Sequence, residues 1–186
     1  MSIAEAQCDV RRVYAGGFYG QLVSGAVWLM AAGAATWFSP PAGVGILFFG
    51  GMLIFPLTTL VIRLSGRPSS LPAGHPMAGL AMQIAFTVPI GFVVVVTMLG
   101  GHSELFFPAS MVIVGAHYLP FVFLYGMRLF AVLSAAMVVA GVLLLYGLPV
   151  PSAVGGWFTG ALLVAFAFLL RASARSLENT ALSRGH

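Results

Sequence analysis

Six runs of apolar residues, none containing an Asp or Glu, divide this chain of 186 residues. They lie at 14–38, 42–64, 77–99, 105–125, 129–146 and 153–170. A helix rises 1.5 Å per residue, so about 20 residues cross a hydrocarbon layer of about 30 Å, and each run is near that length. The alternation of apolar and polar residues that marks a membrane β-barrel is absent. Unpaired backbone groups are too costly in lipid for any other spanning form, so the runs are expected to be transmembrane helices of an all-α membrane protein. With 60% of residues hydrophobic and 6% charged, the chain also carries more apolar surface than a water-soluble fold of this size buries.

The connectors give the orientation. All eight basic residues are Arg: Arg11 and Arg12 precede the first run, Arg63 and Arg67 follow the end of the second, Arg128 joins the fourth to the fifth, and Arg171, Arg175 and Arg184 follow the sixth. With six crossings every one of them falls on the same side. Cationic flanks are retained in the cytoplasm, so both termini are expected there. The net charge of +4 suits a membrane surface better than nucleic acid, because the Arg residues are dispersed over connectors and not gathered on one soluble face. Residues 1–13 read as a short amphipathic helix on that surface: Ser2 and Glu5 have capping-box spacing, and Ile3, Ala6, Val10 and Val13 recur at helical spacing. Residues 171–186 form a cytoplasmic tail with a weaker version of the same pattern in Arg171, Arg175 and Glu178.

An internal repeat is suggested by Leu47-Phe48-Phe49 and Leu105-Phe106-Phe107. Each is followed by a Gly five residues before a Pro, Gly51 with Pro56 and Gly115 with Pro120, and then by an Arg closing the helix, Arg63 and Arg128. Three helical hairpins in parallel orientation would produce this pattern. The stretches Gly25-Ala26-Val27-Trp28, Phe48 to Leu57 and Tyr125-Gly126-Met127-Arg128 resemble those of an uncharacterised family of small bacterial multipass membrane proteins, a domain of unknown function. The likeness extends from the first to the fifth span. It implies a bacterial inner-membrane location, and it assigns no activity and no catalytic residue.

Polar residues inside a span are expensive and so mark candidate sites. His117 lies about ten residues from Arg128, which puts it about 15 Å deep, near the bilayer centre. Gln83 and Gln21 each lie about 10 Å below the same surface, and Ser24, Thr58, Thr59 and Thr87 fall in the same half. As a functional set, His117, Gln83, Gln21 and Ser24 would line a cytoplasm-facing cavity; as a structural set they would only hydrogen-bond neighbouring helices. Tyr125 and Arg128 share a face and could hold an anionic group or anchor the helix at the interface. Pro56, Pro89 and Pro120 each remove a backbone hydrogen bond inside a span and are candidate hinges. Gly16 and Gly20, and Gly156 and Gly160, have the spacing that lets helices approach closely, within one chain or between copies of a homo-oligomer.

No zinc helix, nucleophile elbow, phosphate loop or dinucleotide fingerprint is present, and the lone Cys8 excludes an intrachain disulfide, so neither a cofactor nor a metal is called for. His75, His102 and His117 are predicted at different levels, too far apart for one metal. The sequence therefore reads best as a small-solute permease or channel-like protein with a polar cavity around His117. The alternative is a non-catalytic assembly or lipid-binding subunit among membrane lipids. A lipid-modifying enzyme has least support, because no acid or base partner is at hand.

Overall fold

The computed structural model describes residues 1–98, 100–147, 150–151 and 153–183, and among these it is all-helical. Leu99, the expected end of the third span, part of the turn before the sixth, Arg184 and His186 lie outside the described residues. Eight α-helices follow in order: α1 (Ile3–Val13), α2 (Phe18–Trp37), α3 (Pro40–Leu64), α4 (Ala78–Met98), α5 (Phe106–His117), α6 (Leu119–Tyr125), α7 (Leu129–Tyr146) and α8 (Ala153–Ser183). Six segments are long and apolar enough to cross a membrane, with α5 and α6 together making the fourth, so this is a multi-pass membrane protein.

The helices differ from the expected segments where local chemistry intervenes. The first span does not run on from Tyr14, because Ala15, Gly16 and Gly17 all have positive φ, a conformation that the two glycines adopt without a Cβ penalty. Pro40 and Pro41 do not form a turn. They occupy the first turn of α3, where a missing N–H costs nothing, and the Ser39 hydroxyl caps it by accepting from Ala42 N–H at 3.3 Å. Pro56 and Pro89 sit inside unbroken helices, whereas Pro120 falls where the fourth span is interrupted at Tyr118 and restarts as α6. The sixth helix continues well past Leu170 to Ser183, since no Gly or Pro stops it.

α2 is the central element and packs most extensively against α8 and α3, while α5 packs against α7. The core between them holds Trp28, Phe106, Phe107, Met111, Phe130, Leu133, Met137 and Leu163. Small residues set the spacing. A Cβ at Gly43 would lie 2.7 Å from the Ala31 carbonyl oxygen, which locks α3 against α2, and one at Gly25 would lie 3.1 Å from the Gly160 carbonyl, which does the same for α2 and α8. Gly16, Gly156 and Gly160 face Ala174, Ala32 and Leu29 respectively, so their close approaches are made within the chain. The outer faces of α3 and α4 expose Phe49, Leu53, Leu60, Phe86, Ile90 and Val93, side chains that lipid solvates as well as a core would.

The described arginines gather at one end. Arg67 Nη2 donates to the Arg12 carbonyl at 2.7 Å, Arg11 Nη1 donates to the Tyr125 carbonyl at 2.6 Å, and the Arg171 guanidinium lies 4.4 Å from the centre of the Phe18 ring. At the opposite end Trp37 and Trp157 meet edge to face at 5.7 Å, with Trp157 Nε1 donating to Thr36 Oγ1.

Candidate functional site

α2, α3, α4 and the broken α5–α6 helix enclose a cavity of about 190 Å³. Its α4 wall is Ala81, Ala85, Val88, Pro89 and Phe92, a single helical face. Eleven helical rises separate the first from the last, or about 16 Å along the axis, which is half the thickness of a bilayer. The inner limit is Phe92, fully buried, whose ring fills the space a side chain at Gly51 would need: a Cβ there would lie 2.6 Å from Phe92 Cε2. At the arginine-rich end the cavity is bounded by Tyr14, Ile62 and Tyr125. Met52 and Phe55 also line it and are 39% and 54% exposed, so the mouth opens sideways between α3 and α4.

The lining is mostly apolar, with a polar strip on the wall formed by α2 and α5–α6 and, on α3, Thr58 and Thr59; the Thr58 hydroxyl is buried without a partner among the described residues. Tyr118 donates from its hydroxyl to Gln21 Oε1 at 3.0 Å, in a buried pair that includes Ser24 close by. His117 Nδ1 and Thr87 Oγ1 are 2.7 Å apart. Thr87 Oγ1 also lies 2.8 Å from the Ile84 carbonyl, so its one hydroxyl proton serves either that carbonyl or the imidazole. Pro89 lacks an N–H, so the carbonyl of Ala85 on the same wall also loses its usual helical donor. Among the described residues no charged side chain lines the cavity.

Of the residues singled out by sequence, the cavity brings together Gln21, Ser24, Thr58, Thr59, His117 and Tyr125, while Thr87 lies behind His117 and outside the lining. Gln83 is not with them; it is exposed on the outer face of α4, two residues from Ala81 and from Ala85 and hence on the opposite side of the helix. Arg128 is exposed in the turn after α6 and does not reach the cavity. Pro89 is a lining residue, Pro56 is exposed, and Pro120 acts only through the helix break. Tyr118, Phe121 and Phe92 matter more than the sequence suggested. The first two follow His117 on one helical face, a spacing that the neighbouring apolar residues conceal.

α1 covers the arginine-rich end. Its capping box is formed, with Ser2 N–H donating to Glu5 Oε2 at 2.6 Å and Glu5 N–H to Ser2 Oγ at 3.3 Å. Ala6, Val10 and Val13 are buried against the bundle, while Ile3, expected on that face, is exposed. Gln7 Nε2 donates to the Phe123 carbonyl at 2.6 Å and Arg11 to that of Tyr125, which satisfies carbonyls that the end of α6 leaves free. On its other side Asp9 Oδ2 lies 3.7 Å from His75 Nε2, and His75 Nδ1 accepts from Met77 N–H at 3.2 Å, so the connector between α3 and α4 is held to α1. His102 pairs separately with Glu104 at 2.9 Å.

Residues 3–173 match a family described as a family of unknown function (DUF7010). The chain belongs to that family. The DUF7010 match takes in α1, all of the cavity walls and the first two-thirds of α8, so the covering helix and the cavity both lie within the family's extent. No curated protein and no solved structure matches the chain.

Proposed function

We propose that this protein is permease-like and takes a small uncharged solute into the cavity around His117, with the arginine-rich end and both termini in the cytoplasm. The observation that carries this is the cavity itself: a half-depth, mainly apolar space with a few polar groups, His117, Gln21, Ser24 and Tyr118 on one wall and Thr58 and Thr59 on α3. Such a composition, apolar walls with a small number of placed hydrogen-bonding groups, is that of small-molecule sites generally. Absence of a charged lining residue favours an uncharged solute, since a buried ion would have no counter-charge. The one-sided arginines support the orientation, and the family resemblance implies a bacterial inner membrane.

A second function, as a lipid-binding subunit, is favoured by the sideways mouth beside Met52 and Phe55. Thiol labelling separates the two. Cys8 is the sole cysteine, so Cys8→Ser gives a clean background. Maleimides react with thiols that water reaches. On that background Ala85→Cys, in the cavity, should be modified in membranes, whereas Phe86→Cys on the lipid-facing side and Val95→Cys, buried beyond Phe92, should not. Equal inertness of Ala85→Cys and Phe86→Cys would reject the hydrated solute site in favour of lipid occupancy.

A further inference from the structure

We infer that this cavity is loaded from the bilayer and not from water, so that its solute is a small uncharged molecule soluble in hydrocarbon, entering between α3 and α4 past Met52 and Phe55. This rests on the cavity being a solute site. The level of the opening along the helices carries it.

Phe55 lies eight residues before Arg63 and Met52 eleven, about 12 and 16 Å along α3. Arg63 is exposed in the last turn of that helix, where its charge belongs among lipid head groups, a zone only about 6 Å thick. The mouth therefore faces acyl chains. Its surroundings agree with that level: Leu53 on α3 and Met82, Phe86 and Ile90 on α4 are exposed, and α4 holds no charged residue and α3 none before Arg63.

The ends of the space are shut. Ile62 and Tyr125, which bound it at the arginine-rich end, are buried. α1 covers them, with Val10 and Val13 buried and Arg11 bonded to the Tyr125 carbonyl. Arg67 bonds to the Arg12 carbonyl, and His75 lies beside Asp9, so the connector after α3 is tied down over the same end. At the inner end Phe92 is buried against Gly51.

Only the side is left, and the side selects by solubility. An ion or a heavily hydrated solute would have to shed its water in hydrocarbon to reach the mouth, whereas an uncharged apolar one is concentrated there. Water crosses lipid as well, so a cavity filled by this route is still hydrated. Both flanking helices carry an internal Pro, Pro56 next to Phe55 and Pro89 one turn beyond Ala85, where the lost backbone hydrogen bond lets a helix bend and the mouth widen.

The test uses Ala85→Cys on the Cys8→Ser background in lipid nanodiscs, whose two faces are both open to reagent, with N-methyl-, N-ethyl- and N-propylmaleimide. Each added methylene raises partition into lipid about fourfold. Labelling at position 85 is expected to quicken by about that factor per methylene, while Ser70→Cys, exposed in the connector, reacts at one rate with all three. A sulfonate-bearing maleimide, confined to water, should label position 70 and not position 85. Met52→Trp, which fills the mouth, should slow labelling at position 85, and Leu53→Trp, outside the lining, should not. Should Met52→Trp fail to fold, the maleimide series decides alone, since it needs no change at the mouth. Equal rates across the series at position 85, labelling there by the sulfonate, or an undiminished rate in folded Met52→Trp would overturn loading from the bilayer and leave the solute site standing. Inertness of position 85 to every reagent would overturn both.

Discussion

Arg11 of α1 and Tyr125 at the end of α6 are joined by a hydrogen bond of 2.6 Å from the guanidinium Nη1 to the backbone carbonyl. The same turn of α6 receives Gln7 at Phe123, and the Tyr125 ring bounds the cavity. The covering helix and the site thus share one residue. Replacing Arg11 by Ala leaves a half-buried carbonyl without its charged donor, a change worth about 1–2 kcal/mol. We expect Arg11→Ala to lower Tm and to speed proteolytic removal of α1 while the six spans stay protected. An undiminished Tm with unchanged proteolysis would mean that α1 is held by its apolar face alone.

Gly51 and Phe92 set the inner limit of the cavity. A methyl at position 51 would meet the Phe92 ring at 2.6 Å, an overpacking that costs about 1–3 kcal/mol. Gly51→Ala should therefore destabilise, and adding Phe92→Leu should recover part of the loss. Additive effects in the double variant, measured by thermal unfolding in detergent, would show that the two positions are not coupled.

Tyr118 and Gln21 form the buried polar pair of the site. Hydrogen bonds between membrane helices contribute about 0.6 kcal/mol on average. Tyr118→Phe should produce a loss of that order in unfolding stability, and Gln21→Leu on top of it should cost little more. A loss several times larger from Tyr118→Phe alone would indicate that its hydroxyl supports more than this one bond.

The capping box should respond to acid. Glu5 is held below the ordinary carboxylate value chiefly by the Ser2 backbone N–H, then by the Ser2 hydroxyl. A carboxyl depressed in the folded state stabilises it above its unfolded pKa and loses that contribution as pH falls through the lower, folded value. Amide protection factors in the first turn of α1, in which the intrinsic pH dependence of exchange is divided out, should thus be high near neutral pH and fall below the usual carboxylate range, and Glu5→Gln should flatten the profile. Protection in Glu5→Gln that still falls in acid would assign the effect to another group.

The span positions were legible because lipid imposes a length and an apolar composition on every crossing, and α7 occupies the expected 129–146. Helix faces were not legible to the same degree. α4 is apolar on all sides, so nothing in its sequence says that Ala85 faces inward and Gln83 outward; only packing against α5 decides it. The break at Tyr118 was announced by Pro120, but that it would turn Tyr118, Phe121 and Tyr125 onto one aromatic wall depends on where α7 places Phe130, 4.9 Å from Tyr125. The start of α2 shows the same limit: Gly16 and Gly20 signal close packing by spacing, while the left-handed backbone of Gly16 and Gly17 follows from the turn that joins α1.

The proposed solute site requires His117 to line a cavity that water enters. An experimental structure in lipid nanodiscs, at a resolution that shows ordered water, tests this most directly. Density for water or a small solute beside the His117 ring, with the space between α3 and α4 open, is the expected result. A cavity closed by side chains, with no water beside His117, would contradict it.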